Sequence, residues 1–166
     1  KTKQFRISKI VTRNQKHKLK AQINILHKDN ENYFSNQLIE VSSYKTSLLQ
    51  IDLIHTYLSF WGQINTTYSF YQGKDWFRAR DDNYFSNETD YSNDAKLEFT
   101  KYSINSNIIY YLKNRSYNFD STFHLQYTDD SLYSNDKLSI GSAYTVRGYA
   151  NSSLYGNNAY YLKNDF

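Results

Sequence analysis

Apolar and polar residues alternate along several stretches of the chain, and this period of two constrains the fold more than any other feature. In the stretch 17–28, Leu19, Ala21, Ile23 and Ile25 are separated by lysine, glutamine and asparagine. Successive side chains of a β-strand point to opposite faces, so each such stretch gives a strand with one apolar and one polar face. The alternation recurs in 49–53, 63–70 and 119–127. It predicts an all-β protein.

About nine strands follow from the alternation and from the turn signals. They cover residues 3–12, 17–28, 44–57, 59–72, 96–104, 107–113, 118–128, 137–142 and 160–165. The stretches 13–16 and 103–106 have the composition of tight turns, whereas 29–43 and 73–95 are long and polar. Leu97 and Phe99 are out of phase with Tyr102 and Ile104, which indicates a bulge or a turn in this region.

The aromatic content favours a membrane barrel over a soluble sandwich. The chain has 18 Tyr, 10 Phe and 2 Trp, and barrels carry girdles of such residues at both membrane interfaces. A mean hydropathy of −0.80 is compatible with a membrane, because alternating strands average out. The stretches 17–28 and 44–57 reach the roughly 9–11 residues that a strand needs to span a bilayer.

Several other classes of protein are disfavoured. No run of about 18 apolar residues predicts a transmembrane helix, and the first twenty residues are too charged for a signal peptide. The chain has no Cys, which excludes disulfides and thiolate metal sites. The formal net charge of +4 comes from scattered Lys and Arg, which is typical of a solvated or lumen-facing distribution.

The most specific motif lies near the end of the chain, where the sequence from Lys137 reads KLSIGSAYTVRGYANSSLYGNNAYYLKNDF. This stretch resembles the two-partner secretion transporters of the ShlB/FhaC/HecB haemolysin secretion and activation group, which are relatives of the barrel-assembly protein BamA. The matching residues are Ser139-Ile140-Gly141, Tyr144-Thr145, Val146-Arg147-Gly148-Tyr149 and Tyr160-Tyr161-Leu162-Lys163-Asn164. Gln126 with Leu132, and Gly73 with Trp76 and Phe77, match more loosely.

The resemblance implies a location and a role for four motif residues. In that family the motif lies at the tip of a long loop that folds back into the barrel lumen, which would place Val146, Arg147, Gly148 and Tyr149 there. The planar guanidinium of Arg147 suits a carboxylate held by two hydrogen bonds. Gly148 permits a sharp reversal, and Val146 and Tyr149 can pack against the wall. In that family the carboxylate partner lies on an inward-facing strand beyond the motif.

The resemblance also sets the domain organisation. It implies that residues 1–166 are an incomplete segment of one antiparallel transmembrane β-barrel of about 16 strands. The plug helix, the two periplasmic POTRA domains and the final barrel strands are not recognisable in the sequence. Counting strands back from the motif places 29–43, 73–95 and the turn near Asn114 on the outward side. The turn at 128–136 is longer than a periplasmic turn requires.

No catalytic or metal-binding pattern emerges from the remaining residues. His17, His27, His55 and His124 lack metal-ligand spacing. The acidic pairs Asp81-Asp82 and Asp129-Asp130 are typical of solvated loops, although such pairs can also bind a cation or act on a glycoside. The sequence has no phosphate-binding loop and no nucleophile elbow. We expect no enzyme activity, no cofactor and no nucleic-acid partner.

The expected function is export of a large exoprotein, such as a haemolysin, adhesin or toxin, through the bacterial outer membrane. The expected partners are that exoprotein and the surrounding outer-membrane lipid and lipopolysaccharide. Two alternatives remain open at this point. One is an outer-membrane assembly factor of the BamA type, and the other is a simple porin or a soluble all-β binding module.

Overall fold

A computed structural model describes residues 1–30, 33–38, 44–79, 95–112, 117–141, 145 and 153–165. Within these residues the chain is all-β, and its strands are β1 (Thr2–Arg13), β2 (His17–Asn30), β3 (Tyr33–Phe34), β4 (Gln37–Leu38), β5 (Tyr44–Ser59), β6 (Gly62–Lys74), β7 (Thr100–Leu112), β8 (Tyr117–Tyr127), β9 (Leu138–Ile140), β10 (Leu154–Gly156) and β11 (Ala159–Asp165). A 3-10 turn, Trp76–Arg78, follows β6. No helix in the described part of the chain has the length and hydropathy of a membrane-spanning helix.

Seven long strands form one antiparallel sheet in the order β1-β2-β5-β6-β7-β8-β11. Each strand pairs with the next long strand along the chain, so the sheet is a meander. Two short ladders, β3 with β4 and β9 with β10, lie outside it. The sheet is open, with β1 and β11 at its edges.

The register separates the side chains into rows of opposite character. One row across five strands consists of Ile23, Ile51, Phe70, Tyr102 and Tyr127. The adjacent row, one residue along, consists of Gln22, Asp52, Ser69, Ser103 and Gln126. We call the side of the first row the apolar face and the side of the second row the polar face.

Burial is the reverse of that in a soluble globule. Every member of the polar row exposes 9% of its surface or less, whereas Ile23, Ile51, Tyr102 and Tyr127 each expose between 42% and 51%. Large apolar side chains normally occupy the interior, and contiguous exposed apolar patches mark interaction surfaces. A sheet with a polar interior and an apolar exterior fits the wall of a membrane barrel.

Asp52 is the centre of a hydrogen-bond network on the polar face. Its carboxylate accepts hydrogen bonds from Ser69 Oγ at 2.6 Å, Gln50 Nε2 at 2.8 Å, Asn24 Nδ2 at 3.0 Å and Gln22 Nε2 at 3.3 Å. In the part of the chain that the structure describes, no buried side-chain nitrogen or oxygen is without a partner. The network therefore ties β2, β5 and β6 together by side chains in addition to the backbone ladder.

The connections between strands are short at one end of the strands and long at the other. We call these two ends the short-turn edge and the long-loop edge. Residues 14–16 join β1 to β2, residues 60–61 join β5 to β6, and residues 113–116 join β7 to β8. At the opposite edge the connections span 31–43, 75–99 and 128–158. Barrels of the outer membrane have short periplasmic turns and longer outer loops, and this asymmetry matches them.

The all-β barrel-wall prediction is confirmed, and the predicted strand 118–128 agrees with β8 to within one residue, but the predicted strands 96–104, 107–113 and 137–142 were wrong. The predicted strands 96–104 and 107–113 are one strand, β7, with no turn at 103–106 because Ser103 and Ser106 pair with β6 on one side and β8 on the other. Leu97 and Phe99 precede this strand and are buried. The main sheet therefore has seven strands among the described residues, instead of about nine.

Two further predictions, the strand at 137–142 and the side of the turn near Asn114, also need correction. The predicted strand 137–142 contains only the three residues of β9, which pairs with the unpredicted β10 outside the main sheet. With β7 continuous, the turn near Asn114 lies at the short-turn edge and not on the outward side. The turn at 128–136 is the start of the third long loop, which explains its length.

Replacing Asp52 by Ala is expected to destabilise the barrel by about 2–3 kcal/mol, because four donors on the polar face lose a common buried acceptor. Asp52→Asn retains one acceptor oxygen and is expected to lose less. The measurement is the temperature at which the intact purified protein unfolds in detergent. The exposed Asp75→Ala is the control, and an unchanged unfolding temperature for Asp52→Ala would contradict the role of the network.

Candidate functional site: the root of the motif loop

Residues 128–158 connect β8 to β11 and contain the sequence motif. We call this connection the motif loop. Its two ends are fastened to each other. The backbone N–H of Thr128 donates to Asn158 Oδ1 at 2.7 Å, and that of Leu132 donates to Asn157 Oδ1 at 3.1 Å. The Thr128 hydroxyl also donates to the carbonyl of Thr100 at 2.6 Å, which attaches the loop to β7.

Two side chains of the polar face hold the loop root. Lys101 Nζ donates to the carbonyl of Asp136 at 2.9 Å. Gln126 Nε2 donates to the carbonyl of Asn157 at 3.1 Å and to that of Asp136 at 3.3 Å. Because both donors belong to the polar face, the loop turns inward over that face as it leaves the sheet.

Lys101 is buried in spite of its charge, with 9% of its surface exposed. Its ammonium group lies 4.8 Å from the ring centroid of Tyr71 and 5.7 Å from that of Phe99. A buried ammonium needs several partners to offset its lost hydration, and cation–π contacts supply part of them. The Asp136 carbonyl accepts a hydrogen bond from the same ammonium group, so the loop backbone also helps to offset the cost of burying Lys101.

The preceding long connection packs against the same root. Lys96 Nζ forms an ion pair with Asp130 at 3.2 Å, and the other Asp130 carboxylate oxygen accepts the backbone N–H of Thr100 at 2.8 Å. Lys96 and Leu132 also form a parallel β-bridge. Leu132 is 0% exposed and Leu97 and Phe99 are each 5% exposed, so these three residues form a small apolar core beneath the root.

Gly73 allows this packing because it has no side chain. Its backbone N–H donates to the Phe99 carbonyl at 2.8 Å. A Cβ atom at position 73 would lie 1.9 Å from the Leu97 carbonyl oxygen, a distance that a side chain cannot adopt. The close approach of segment 95–99 to β6 therefore requires glycine at this position.

Beyond the root, β9 and β10 pair as the two arms of a narrow stalk. Gly141, with φ of 114°, donates its N–H to Thr145 Oγ1 at 2.9 Å and accepts from Ser153 Oγ at 2.8 Å. The predicted site residues Val146, Arg147, Gly148 and Tyr149 lie in sequence between these arms and outside the described residues. The structure thus shows the support of the motif and not the motif itself.

The other residues considered from the sequence have structural contacts. His17 stacks on His55 with ring centroids 5.4 Å apart, and His124 stacks on Tyr161 at 5.6 Å. Asp129 accepts the Tyr127 hydroxyl at 2.6 Å, while Asp81-Asp82 lies outside the described residues. In the described part of the chain no group of three or more His, Asp or Glu side chains could hold a metal ion.

Sequence reasoning missed the residues that form the root. Gln126 and Leu132 were noted only as loose matches, and Lys101, Asn157 and Asn158 were not singled out. The contacts of these residues join positions about 10 to 35 apart in sequence, and no local period reports such contacts. The consecutive Asn157-Asn158 before an aromatic strand was the available signal, because Asn side chains commonly cap turns.

Comparison with known proteins decides the family. The family described as haemolysin secretion/activation protein ShlB/FhaC/HecB matches residues 1–166. The chain belongs to this family. It is 30% identical over 155 residues to the haemolysin transporter protein HpmB of Proteus mirabilis, covering 92% of this chain and 27% of HpmB. It is 25% identical to the outer membrane transporter CdiB-2 of Burkholderia pseudomallei, covering 99% of this chain and 28% of that protein.

Solved structures of family members have the same fold. CdiB from Escherichia coli superposes with a TM-score of 0.86 at 25% identity, covering 98% of this chain and 29% of CdiB. CdiB from Acinetobacter baumannii gives a TM-score of 0.79 at 18% identity. The chain thus corresponds to less than a third of the length of each of these relatives, and its open sheet corresponds to part of a barrel of the ShlB/FhaC/HecB family.

Replacing Lys101 by Met is expected to loosen the loop root, because the Asp136 carbonyl loses its charged donor while the side-chain length is kept. Amide hydrogen exchange of β9 and β10 in the intact protein is expected to accelerate about tenfold, which corresponds to about 1.4 kcal/mol. Lys163→Met is the matched control, since Lys163 pairs with Asp165 of its own strand at 2.8 Å. Equal exchange in the two variants would show that Lys101 does not hold the root.

Proposed function

We propose that the intact protein is an outer-membrane transporter that exports a large exoprotein by two-partner secretion. The match of the ShlB/FhaC/HecB family to the whole chain carries this proposal. HpmB is named a haemolysin transporter and CdiB-2 an outer membrane transporter, which supports the same activity and location here. The exposed apolar rows and the buried polar rows provide the physical support, since one face suits lipid and the other an aqueous lumen.

In this proposal the polar face lines the path of the exported chain. An unfolded polypeptide carries many backbone donors and acceptors, and a lumen wall of Gln, Asn, Ser and Thr can exchange hydrogen bonds with it. Apolar walls would retain apolar segments of the exoprotein, whereas a hydrated polar wall does not. The polar row that contains Gln22, Asp52 and Ser103 is continuous across five strands, so the wall is polar around this part of its circumference.

The motif loop is the proposed gate. Its root is directed over the polar face by Lys101 and Gln126, and its tip carries Val146, Arg147, Gly148 and Tyr149. We assign to Arg147 a bidentate hydrogen bond with a lumen carboxylate, with Val146 and Tyr149 packed beside it and Gly148 at the reversal. A loop held at its root can stabilise or close the pore, depending on whether the Arg147–carboxylate bond at its tip is formed or broken.

We assign residues 1–166 to one barrel domain, with the POTRA domains and the final barrel strands in other parts of the intact protein. The edges at β1 and β11 support this assignment, because unpaired backbone groups are not tolerated in lipid.

The proposed partners are the secreted exoprotein and the lipid and lipopolysaccharide of the outer membrane. The proposal includes no enzymatic step, no cofactor and no nucleic acid.

Replacing Arg147 by Ala is expected to reduce secretion of the partner exoprotein at least about tenfold while the barrel remains in the outer membrane. The experiment uses cells that carry the intact gene and its exoprotein, and it measures exoprotein in the medium and transporter in outer-membrane fractions. Arg147→Lys keeps the charge but loses the planar fork, so it is expected to restore little export. Normal export by Arg147→Ala would refute the assigned role of the motif.

The membrane placement is tested by a pair of substitutions at similar depth on opposite faces. Leu53 belongs to the apolar row with Ala21, Tyr68 and Ile104, and Thr67 belongs to the polar row with Ile54 and Asn105. Leu53→Arg is expected to destabilise the protein in lipid vesicles by about 2–4 kcal/mol, and Thr67→Arg by much less. Equal losses measured by denaturant titration would contradict the assignment of the faces.

A further inference from the structure

The 3-10 turn after β6 folds back onto the apolar face and forms one wall of a cavity there. The cavity has a volume of about 330 Å³ and is lined by Lys3, Gln4, Phe5, Ile25, His27 and Phe77. Most of its lining is apolar, but a lysine and a histidine lie at one end. A second cavity farther along the same face, between Ile51, Phe70 and Ile104, has no lysine or histidine in its lining.

A chain of hydrogen bonds holds the turn in place and determines which ring nitrogen of His27 donates to Ser47. Ser47 Oγ lies 2.6 Å from the Trp76 carbonyl and 3.0 Å from His27 Nδ1. The carbonyl can only accept, so the single hydroxyl proton of Ser47 is donated to it. Ser47 must then accept from His27, which places a proton on Nδ1 and leaves Nε2 for another partner.

Phe77 is held in an unusual conformation at this site. Its φ is 57° and its ψ is 36°, in the left-handed region that a phenylalanine rarely adopts. Its ring nevertheless lies edge-on to the His27 ring, with 6.0 Å between centroids, and 65% of its surface is exposed. The protein thus sustains a strained backbone to present an exposed aromatic wall beside His27.

The depth of the cavity corresponds to the boundary of the lipid. Ile23 is near the middle of β2, and His27 is four residues closer to the long-loop edge, about 13 Å along the strand at 3.3 Å per residue. The apolar band of an outer-membrane barrel is about 25 Å tall and its strands are tilted. At a tilt of about 40° this corresponds to about 10 Å of height, so His27 and its cross-strand neighbour Lys3 lie just inside the outer boundary of the band. A long lysine side chain reaches the headgroups from there, and Phe5 and Ile25 lie deeper.

The charge at this rim is positive. Lys45, on the same face, is paired with Asp29 at 3.6 Å. Within the part of the chain that the structure describes, no ion pair engages Lys3. An anionic headgroup above one or more acyl chains would therefore meet the Lys3 ammonium group, which donates to a phosphate oxygen, and Nε2 of His27, which accepts from a phosphate O–H. Apolar side chains lie below them.

We propose that this cavity binds the lipid A part of lipopolysaccharide, with a glucosamine phosphate at Lys3 and His27 and an acyl chain against Phe5, Ile25 and Phe77. The location at the long-loop edge, in the outer leaflet, rests on the proposed outer-membrane function. Lipid A supplies both groups in one molecule, a phosphate at headgroup level and an acyl chain directly beneath it. The site is separate from the polar face and from the motif loop.

The test measures lipid A bound to the intact purified protein by native mass spectrometry, with Kdo2-lipid A as the probe. The double variant Lys3→Glu/His27→Gln is expected to bind about tenfold less tightly than the wild type. Phe77→Gly is expected to weaken binding too, although glycine relieves the left-handed strain at that position. Lys9→Glu is the matched control on the same strand and face, nearer the short-turn edge, and is expected to bind normally.

Three results would overturn the proposal: undiminished binding by the double variant, an equal loss with Lys9→Glu, or equal retention of phosphatidylglycerol by the wild type. Exoprotein secretion is measured in parallel for every variant. A wild type that binds lipid A at this site but secretes nothing would refute the transport function and leave the lipid site intact. A wild type that secretes normally without binding lipid A would refute the site alone.

Discussion

The antiparallel register between neighbouring strands is the constraint on which the rest of this structure depends. A bilayer offers no hydrogen-bond partners, so every backbone N–H and C=O at membrane depth must pair with an adjacent strand. The same pairing decides which side chains share a row. A slip of one residue would turn the row of Gln22, Asp52 and Gln126 toward lipid and the row of Ile23 and Ile51 toward the lumen.

The register also explains how one face of the sheet both forms the wall and holds the motif loop. Gln126 lies in the same row as Asp52, and Lys101 lies two residues from Ser103 of that row on the same face. The residues that solvate the lumen and those that hold the loop root are therefore placed by one set of backbone hydrogen bonds. The polar face serves as a lining along most of its length and as a support for the loop at the long-loop edge.

The sequence predicted most of the wall, and its failures have physical reasons. Strands β6 and β8 alternate closely, and β2 and β5 do so with a few exceptions such as Leu26 and Leu48 on the polar face. Ser106 of β7, by contrast, is a polar residue on the apolar face. Its hydroxyl bonds Thr66 Oγ1 at 3.0 Å, so the pair satisfies itself, but the local composition resembled a turn. Leu97 and Phe99 alternate like a strand yet belong to the core beneath the loop root. The loop root depends on contacts between residues far apart in sequence. The family resemblance pointed to the loop but did not identify these contacts.

The Lys96–Asp130 ion pair and the Lys96–Leu132 bridge join the loop after β6 to the motif loop. The two loops therefore share one base, and a substitution at Lys96 or Asp130 changes the support of both. An insertion or deletion in either loop is compatible with the fold only where it leaves this shared base intact. Loop length can thus vary more freely far from the base than next to it.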